Sequence, residues 1–431
     1  MRGVIEKKRD MGFSKSLGYH TFSWSTDMSQ QALYQVLNIH GYQVTQIVRD
    51  EKRLLLHCQP QPHRVCCPKC GSRDVIRRGE QDRWIRNLPI GRDCTWIIAT
   101  LPRVECRACR IVRQVNLGLA DTRRTYSHAF ERYVLELCRR MTMQDVADHL
   151  GVSWDIVKDI YKRYLQKHFA KPALQNVRHI GIDEICVGRG YRFLTLVLDL
   201  DTGAILFAGE GKKAAALDPF WRRLKAAKAK VRAVAVDLSP AYQKAVEENL
   251  PEAAIVFDRF HVIKLYNQKL SQLRRELHRQ ATDDLKKKVL KGTRWLLLKN
   301  HENLDPQKGE PKRLREALKL NESLAVAYYL KEDLGQIWEQ LGKFSAKMKL
   351  LDWYHQAMNS GVRILQDFAR TLLAHSHGIL AWYDHPISNG PLEGTNNKIK
   401  TMNRQHYGLR DKEFFQLKLY QLHQTKYALV G

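Results

Sequence analysis

Two aspartates sit in apolar runs where a charge is out of place: Asp183 in HIGIDEICVG (179–188) and Asp237 in VRAVAVDLSPAYQ (231–243). Their neighbours Ile180, Ile182, Ile185 and Val187 in one run, and Val231, Val234 and Val236 in the other, are β-branched and read as buried strands. A carboxylate in a core strand costs several kcal/mol unless it is paired or bound to a metal. Two of them in one small sheet are most simply explained by a shared divalent cation. A third acid, Glu393, lies in SNGPLEGTNNKIKTMNRQHYG (388–408), where Pro391 suits the first turn of a helix and Gly408 its exit. Glu393 then falls on the first turn, with Asn397, Lys400 and Arg404 following on the same face at helical spacing. A glutamate at the head of a stripe of phosphate-seeking side chains fits metal-assisted phosphoryl transfer.

These acids need elements to hold them. After Pro172, the segments RHIGIDEICVG, YRFLTLVLDL and GAILFAGEG read as a meander of three strands, the last two joined through Asp201-Thr202-Gly203. LDPFWRRLKAAKAK reads as an amphipathic helix, VRAVAVDL as a fourth strand, AYQKAVEENL as a helix and AIVFDRF as a fifth strand. The order βββαβαβ places Asp183 in strand one and Asp237 at the end of strand four, which an RNase H-like sheet would set side by side. Asp258 and His261 stand at the exit of strand five, where supporting the metal ligands, touching DNA and a purely structural role all remain open. Alternation turns Glu184 to the opposite face from Asp183, and Asp199 and Asp201 flank the meander's turn in solvent. From His261 to about Ala374 the pattern is helical, and it separates Asp237 from Glu393 by 393 − 237 = 156 residues. That is too long for a loop and is read as an inserted helical subdomain, with Trp295, Trp338 and Trp353 as packing residues.

The stretches GIDE, VDLSPAY, FDRFHVIK and PLEGTNNKIK together resemble the DDE transposases of bacterial insertion sequences, most closely the ISL-three family. The similarity runs from the cysteines near residue 66 almost to the C-terminus. The resemblance implies an α/β fold with an RNase H-like catalytic core and a large helical insertion, preceded by a zinc ribbon and a helix-turn-helix. It also carries the catalytic role onto Asp183, Asp237 and Glu393. The domains implied are a partly disordered N-terminal segment (1–57), a zinc ribbon (58–120), a helix-turn-helix (121–172), a core (173–265 and 375–431) and the insertion (266–374).

A phosphodiester is cut by water, or joined to a 3′-hydroxyl, when two Mg²⁺ ions about 3.5–4 Å apart activate the attacking oxygen and steady the leaving one. Carboxylates suit such hard ions, with Mn²⁺ an acceptable substitute. In this scheme Asp183 bridges both ions while Asp237 and Glu393 each complete one. The activity expected is binding of the terminal inverted repeats of the chain's own element, then metal-dependent cleavage and strand transfer. The partners expected are transposon-end and target double-stranded DNA, with a homodimer or higher oligomer assembled on it. A nuclease or resolvase that cuts without joining is one rival reading. A DNA-binding regulator with an inactive core is another.

CCPKCGS (66–72) and ECRAC (105–109) supply two CxxC knuckles, Cys67 with Cys70 and Cys106 with Cys109, the spacing of a closed tetrahedral Zn²⁺ site. Cys66 adjoins the first knuckle and leaves the ligand set uncertain by one residue, while Cys58, Cys94, Cys138 and Cys186 are expected to be small buried hydrophobes. The segment 125–168 is helical by period and breaks at Leu150-Gly151-Val152, between a helix capped near Thr142 and one capped near Ser153. In a helix-turn-helix the second helix enters a DNA major groove, which turns Ser153, Trp154 and Lys158 toward bases or backbone.

Among the 431 residues, 72 Lys and Arg face 45 Asp and Glu, a formal net charge of +27. The cations are spread over every segment, which favours a polyanion partner over a basic tail. The first residues lack the apolar stretch of a signal peptide, and no long uncharged run suggests a membrane, so a cytoplasmic, nucleoid-associated location is expected. Upstream of the ribbon, 31–41 reads as a short helix ended by Gly41, and 42–58 as a hairpin turning at Asp50-Glu51.

Overall fold

The computed structural model describes residues 20–22, 34–35, 37–50, 52–188, 192–282, 289–405 and 411–424. Of the N-terminal segment expected to be partly disordered, His20–Phe22 are described and form a strand, while most of residues 1–33 and the expected helix exit at Gly408 lie outside the described residues. The chain packs as two units that divide between Tyr164 and Leu165.

The first unit is built on one sheet of six strands: β1 (His20–Phe22), β2 (Tyr42–Asp50), β3 (Arg53–Pro60), β4 (Val75–Arg86), β5 (Cys94–Cys106) and β6 (Val112–Gln114). The order is β1-β2-β3-β5-β4, with β6 also on β5. Asp50 pairs with Arg53, so the hairpin turns one residue later than its sequence suggests. β3 runs parallel to β5, with Leu56 opposite Ile97, so the early hairpin and the cysteine-bearing strands share one sheet and a 57/58 division falls inside β3. Tyr42, Leu56, Ile85 and Ile97 make its core, and the Tyr42 hydroxyl donates to the Leu117 carbonyl.

Three helices follow: α1 (His128–Leu137), α2 (Met143–Leu150) and α3 (Trp154–Phe169). Thr142 caps α2 in a reciprocal box with Asp145, and Gly151, at φ 62°, ends it in the left-handed conformation that glycine accepts without strain. Ser153 Oγ then accepts from the Ile156 amide at 3.4 Å and starts α3. The helices are tied to the sheet by Arg86, buried at the end of β4, whose guanidinium donates to the carbonyls of Thr95 and of Leu150, the last residue of α2.

The second unit centres on a five-stranded sheet: β7 (His179–Gly188), β8 (Arg192–Asp199), β9 (Ile205–Glu210), β10 (Ala233–Val236) and β11 (Ala254–Phe257). Its order is β11-β10-β7-β8-β9. β7, β8 and β9 form the antiparallel meander, and β10 and β11 lie parallel to β7. This is the RNase H-like arrangement. Helices α4 (Asp218–Ala226) and α5 (Pro240–Asn249) make the crossovers, each entered through a proline in its first turn. Asp199 departs from its expected solvated role. It is buried and accepts from the Asp201 amide and the Thr202 hydroxyl, holding the turn between β8 and β9.

α6 (Arg259–Gln280) leads into the helical insertion of α7 (Arg294–Leu298), α8 (Glu310–Lys319), α9 (Glu322–Gly335), α10 (Lys343–Asn359), α11 (Arg363–Ala374) and α12 (Ser376–Leu380). Its centre is an edge-to-face trio of Tyr266, Trp353 and Phe368 with ring centroids 5.0–5.9 Å apart. Trp338 is buried as well, but Trp295 is not a packing residue: it is 65% exposed, with Arg294 stacked over its ring at 4.7 Å. The chain then returns to the sheet in α13 (Gly390–Gln405) and α14 (Lys412–Gln421).

Candidate active site

The register of the parallel strands aligns three acids. Ala233, Val234 and Ala235 of β10 pair with His179, Ile180 and Gly181 of β7, and Ala233 to Val236 pair with Ala254 to Phe257 of β11. Carried on to the end of β10, that register sets Asp237 abreast of Asp183 on one side and of Asp258 on the other. Residues in register point to the same face of a sheet, so the three carboxylates form a row. Of these, the alignment of Asp258 with the pair was not legible in the sequence, because it depends on where β11 docks.

Asp183 is strongly desolvated, and burial followed by the repulsion of Asp237 pushes its carboxyl above the usual range, opposed by hydrogen bonds and by nearby His261. Its Oδ1 accepts from the Glu184 amide at 2.8 Å and its Oδ2 from Asn396 Nδ2 at 2.9 Å. Asp237 is half-buried and accepts from the Ser239 amide at 3.0 Å. Burial also raises the Asp258 carboxyl, with His261 acting against it and Asp183 adding to it. His261 Nδ1 is buried without a hydrogen-bond partner and lies 3.9 Å from Asp258 Oδ2, too far for a hydrogen bond. Glu184 points to the other face, where the Tyr242 hydroxyl donates to it at 2.6 Å, yet burial and the charges of Asp237 and Asp183 still raise its carboxyl.

α13 is laid along β7 by three asparagines spaced seven apart. Asn389, just before the helix, donates to the Ile182 carbonyl at 3.5 Å, Asn396 to Asp183, and Asn403 to the Val187 carbonyl at 2.5 Å. The helix can approach because Gly181 has no side chain: a Cβ there would lie 2.6 Å from Leu392 Cδ1. Glu393 sits on the first turn of α13, one turn before Asn396, and is exposed, as are Asn397, Lys400 and Arg404. The structure thus brings Asp183, Asp237, Asp258 and His261 together, while Glu393 stands in solvent one turn before the Asn396 that contacts Asp183. Among the described residues, the only set of three or more His, Cys, Asp or Glu with ligand atoms all within 4.8 Å of one another is a cysteine cluster, so the acids are not drawn into a closed cage.

The row nonetheless suits a hard cation. Its donors are carboxylate oxygens, desolvation raises the carboxyls of both Asp183 and Asp258, and Asn396 Oδ1 beside Asp183 is buried without a partner. Each oxygen of Asp183 accepts one hydrogen bond and keeps lone-pair capacity for a metal.

Cys67, Cys70, Cys106 and Cys109 make the cysteine cluster, with sulfur separations of 3.1–3.6 Å between paired members. Tetrahedral zinc thiolates, with bonds of about 2.3 Å, hold their sulfurs at about 3.8 Å. The knuckles are built alike: Gly71 and Arg110 donate to the carbonyls of Cys67 and Cys106, and the amides of those cysteines donate to Ser72 and Ile111. Amide donation, first from Cys70, draws the Cys67 thiol down to about 6, whereas the crowding of Cys70 and Cys106 pushes Cys109 up. Cys66 is outside the set. Cys58 and Cys138 are buried, but Cys94 is only half-buried and Cys186 is exposed, because alternation along β7 turns it outward.

At the head of α3, Ser153 and Trp154 are exposed, and the Lys158 ammonium rests over the Trp154 ring at 5.2 Å. No helix of the described residues is long and apolar enough to cross a membrane.

Three family models match the chain: a zinc finger of transposases IS204/IS1001/IS1096/IS1165 over residues 63–109, a helix-turn-helix domain of transposase family ISL3 over 115–165, and an ISL3 transposase domain over 180–419. The transposase for insertion sequence element IS1001 of Bordetella parapertussis is 30% identical over 88% of this chain and 94% of its own length. The transposase for IS1557 of Mycobacterium tuberculosis is 28% identical over 80% of this chain and 83% of its own. A chain of the Drosophila P element transposase strand transfer complex is a distant likeness, with TM-score 0.41, 11% identity, and coverage of 72% of this chain and 95% of that one. An acid-bearing RNase H-like sheet that follows a cysteine ribbon and a three-helix domain in the sequence, in a chain matched by these family models over most of its length, places this chain in the ISL3 family of insertion-sequence transposases.

Proposed function

We propose that the chain binds the terminal inverted repeats of its own insertion sequence and moves it by Mg²⁺-dependent cleavage and strand transfer, with Asp183, Asp237 and Glu393 as the metal-binding acids. The observation that carries this reading is the aligned row of acids, Asp183 within β7 and Asp237 and Asp258 just past the parallel β10 and β11, against which α13 is fastened through Asn396. When bound, divalent ions supply Lewis-acid activation of the attacking oxygen and charge relief for the leaving one. Asp183, fixed by two hydrogen bonds, offers both its oxygens from a rigid strand. Asp237 offers a second ligand from the strand beside it. Glu393, exposed on the first turn of α13, closes the set from the open side and leaves room for a phosphate. Asp258, the third acid of the row, and His261 beside it set the local charge around Asp183.

The cysteine cluster holds one structural Zn²⁺. Ser153, Trp154 and Lys158 of α3 meet transposon-end DNA, and Asn397, Lys400 and Arg404 follow its backbone away from the cut. The net charge of +27 supports a polyanion partner. In this reading the protein works on nucleoid DNA in the cytoplasm and assembles as a dimer or higher oligomer on the ends it joins to target DNA.

The test is purified protein with Mg²⁺, or Mn²⁺ in its place, and DNA carrying the flanks of its own gene, scored for nicks and for joined products. Asp183→Asn, Asp237→Asn and Glu393→Gln should each abolish both while end binding persists. Near-parental cleavage by any of them removes that residue from the site, and nicks without joined products would favour a nuclease.

A further inference from the structure

α6 begins one residue after Asp258, and one side of it carries Phe260, Lys264, Asn267, Arg274 and Arg275 at helical spacing. α7 adds Arg294, and together they line a groove of about 560 Å³. A neighbouring depression shares Phe260 and Asn267 with this groove and reaches Asp258 and Gly390, the first residue of α13. Through this depression, which Glu302, Glu332 and Glu339 also line, the groove in the helical insertion adjoins the acid row.

Its far end is strongly basic. Arg274 is partly buried, and burial followed by the charges of Arg294 and Arg275 makes it easier to deprotonate. Among the described residues no carboxylate pairs with Arg274, Arg275 or Arg294, and Arg274 Nε is buried without a hydrogen-bond partner, although its Nη1 donates to the Leu290 carbonyl at 2.9 Å. Three like charges with no carboxylate partner among the described residues are a cost to the fold that an anion would relieve. Phe260, 50% exposed, lines the groove beneath Lys264, and Trp295, 65% exposed, lies beneath Arg294, which lines the groove. Cations interleaved with exposed rings are the surface that tracks a nucleic-acid strand. From Phe260 to Arg274 is 14 residues of helix, about 21 Å, or roughly six base steps of duplex rise. A free phosphate fills only the end of such a groove, whereas a DNA strand fills its length.

Building on the transposase reading above, we propose that this groove is a second DNA-binding surface. It takes the backbone of the strand leading away from the scissile phosphate and anchors it on Arg274, Arg275 and Arg294, which gives the helical insertion a direct part in holding DNA.

The test compares the full-length parent with Arg275→Ala/Arg294→Ala, both exposed positions, on DNA carrying the element's ends, in chelator so that no cutting occurs. The slope of log affinity against log salt should become shallower by about two units, at roughly 0.9 for each phosphate no longer neutralised. Unchanged thermal unfolding shows that the fold is intact. An unchanged slope overturns the proposal, and if the parent still cleaves in Mg²⁺ the transposase reading survives it. A shallower slope in a protein whose parent does not cleave supports the groove while the active-site reading fails. Inorganic tripolyphosphate is the control for a small-anion site: if the parent binds it, the double variant does not, and the DNA slope is the same for both, the groove is not a DNA surface.

Discussion

Asn396 donates from Nδ2 to Oδ2 of Asp183 at 2.9 Å, joining residues 213 positions apart in the sequence. The bond fixes one oxygen of the buried acid and fixes α13 against β7. Asn396→Ala should therefore raise the Mg²⁺ concentration for half-maximal cleavage by about 10–100-fold, the usual cost of losing a partner that orients a metal ligand. A purely structural role predicts a lower unfolding temperature with an unchanged Mg²⁺ midpoint.

Removing the charge of Asp183 should stabilise the metal-free protein. Burial raises this carboxyl above its usual range. The folded state thus favours the protonated acid: that stabilisation is complete below the ordinary carboxylate pKa and is lost as pH rises through the raised value. At pH 7 in chelator, Asp183→Asn should unfold at a higher temperature than the parent, by on the order of 1 kcal/mol. The difference should shrink toward pH 4, and added Mg²⁺ should raise the midpoint of the parent alone. Equal midpoints at pH 7 in chelator would show that the charge is already compensated.

One zinc ion per chain should accompany the purified protein and be lost on Cys106→Ser, because the knuckles around the four thiolates have little core of their own. Cys66→Ser should keep it. Metal analysis of both variants decides the ligand set, and zinc retained by Cys106→Ser overturns it.

Lys400 and Arg404 lie on the exposed face of α13 that Glu393 heads. Lys400→Ala/Arg404→Ala should flatten the salt dependence of DNA binding by about one to two units and weaken binding to all sequences alike. An unchanged slope with normal strand transfer leaves this face in solvent.

Asp183 and Asp237 could be read from the sequence because β-branched runs mark buried strands on either side of a charge, and the cysteines because two knuckles have few other uses. The five-strand order followed from the pattern of strands and helices. The asparagines at 389, 396 and 403 were hidden: polar residues on a helix ordinarily read as its wet side, and only the docking of α13 on β7 turns Asn396 inward, to 8% exposure. The parallel pairing of β3 with β5 was equally hidden, since it joins segments about 40 residues apart with no local signal. Trp295 shows the opposite failure. Composition favours packing for a tryptophan in a helical segment, and this one stands in solvent beneath Arg294.

Glu393 is separated from Asp237 by 393 − 237 = 156 residues, most of them in the helical insertion. At about 5–20 residues per second, a ribosome delivers it roughly 8–30 s after Asp237. The ribbon, the three-helix domain and the five-stranded sheet have all left the ribosome by then. If Glu393 is the third metal ligand, as proposed above, the nascent chain holds its cysteine ribbon and three-helix domain complete for that interval while its acid set is still one member short.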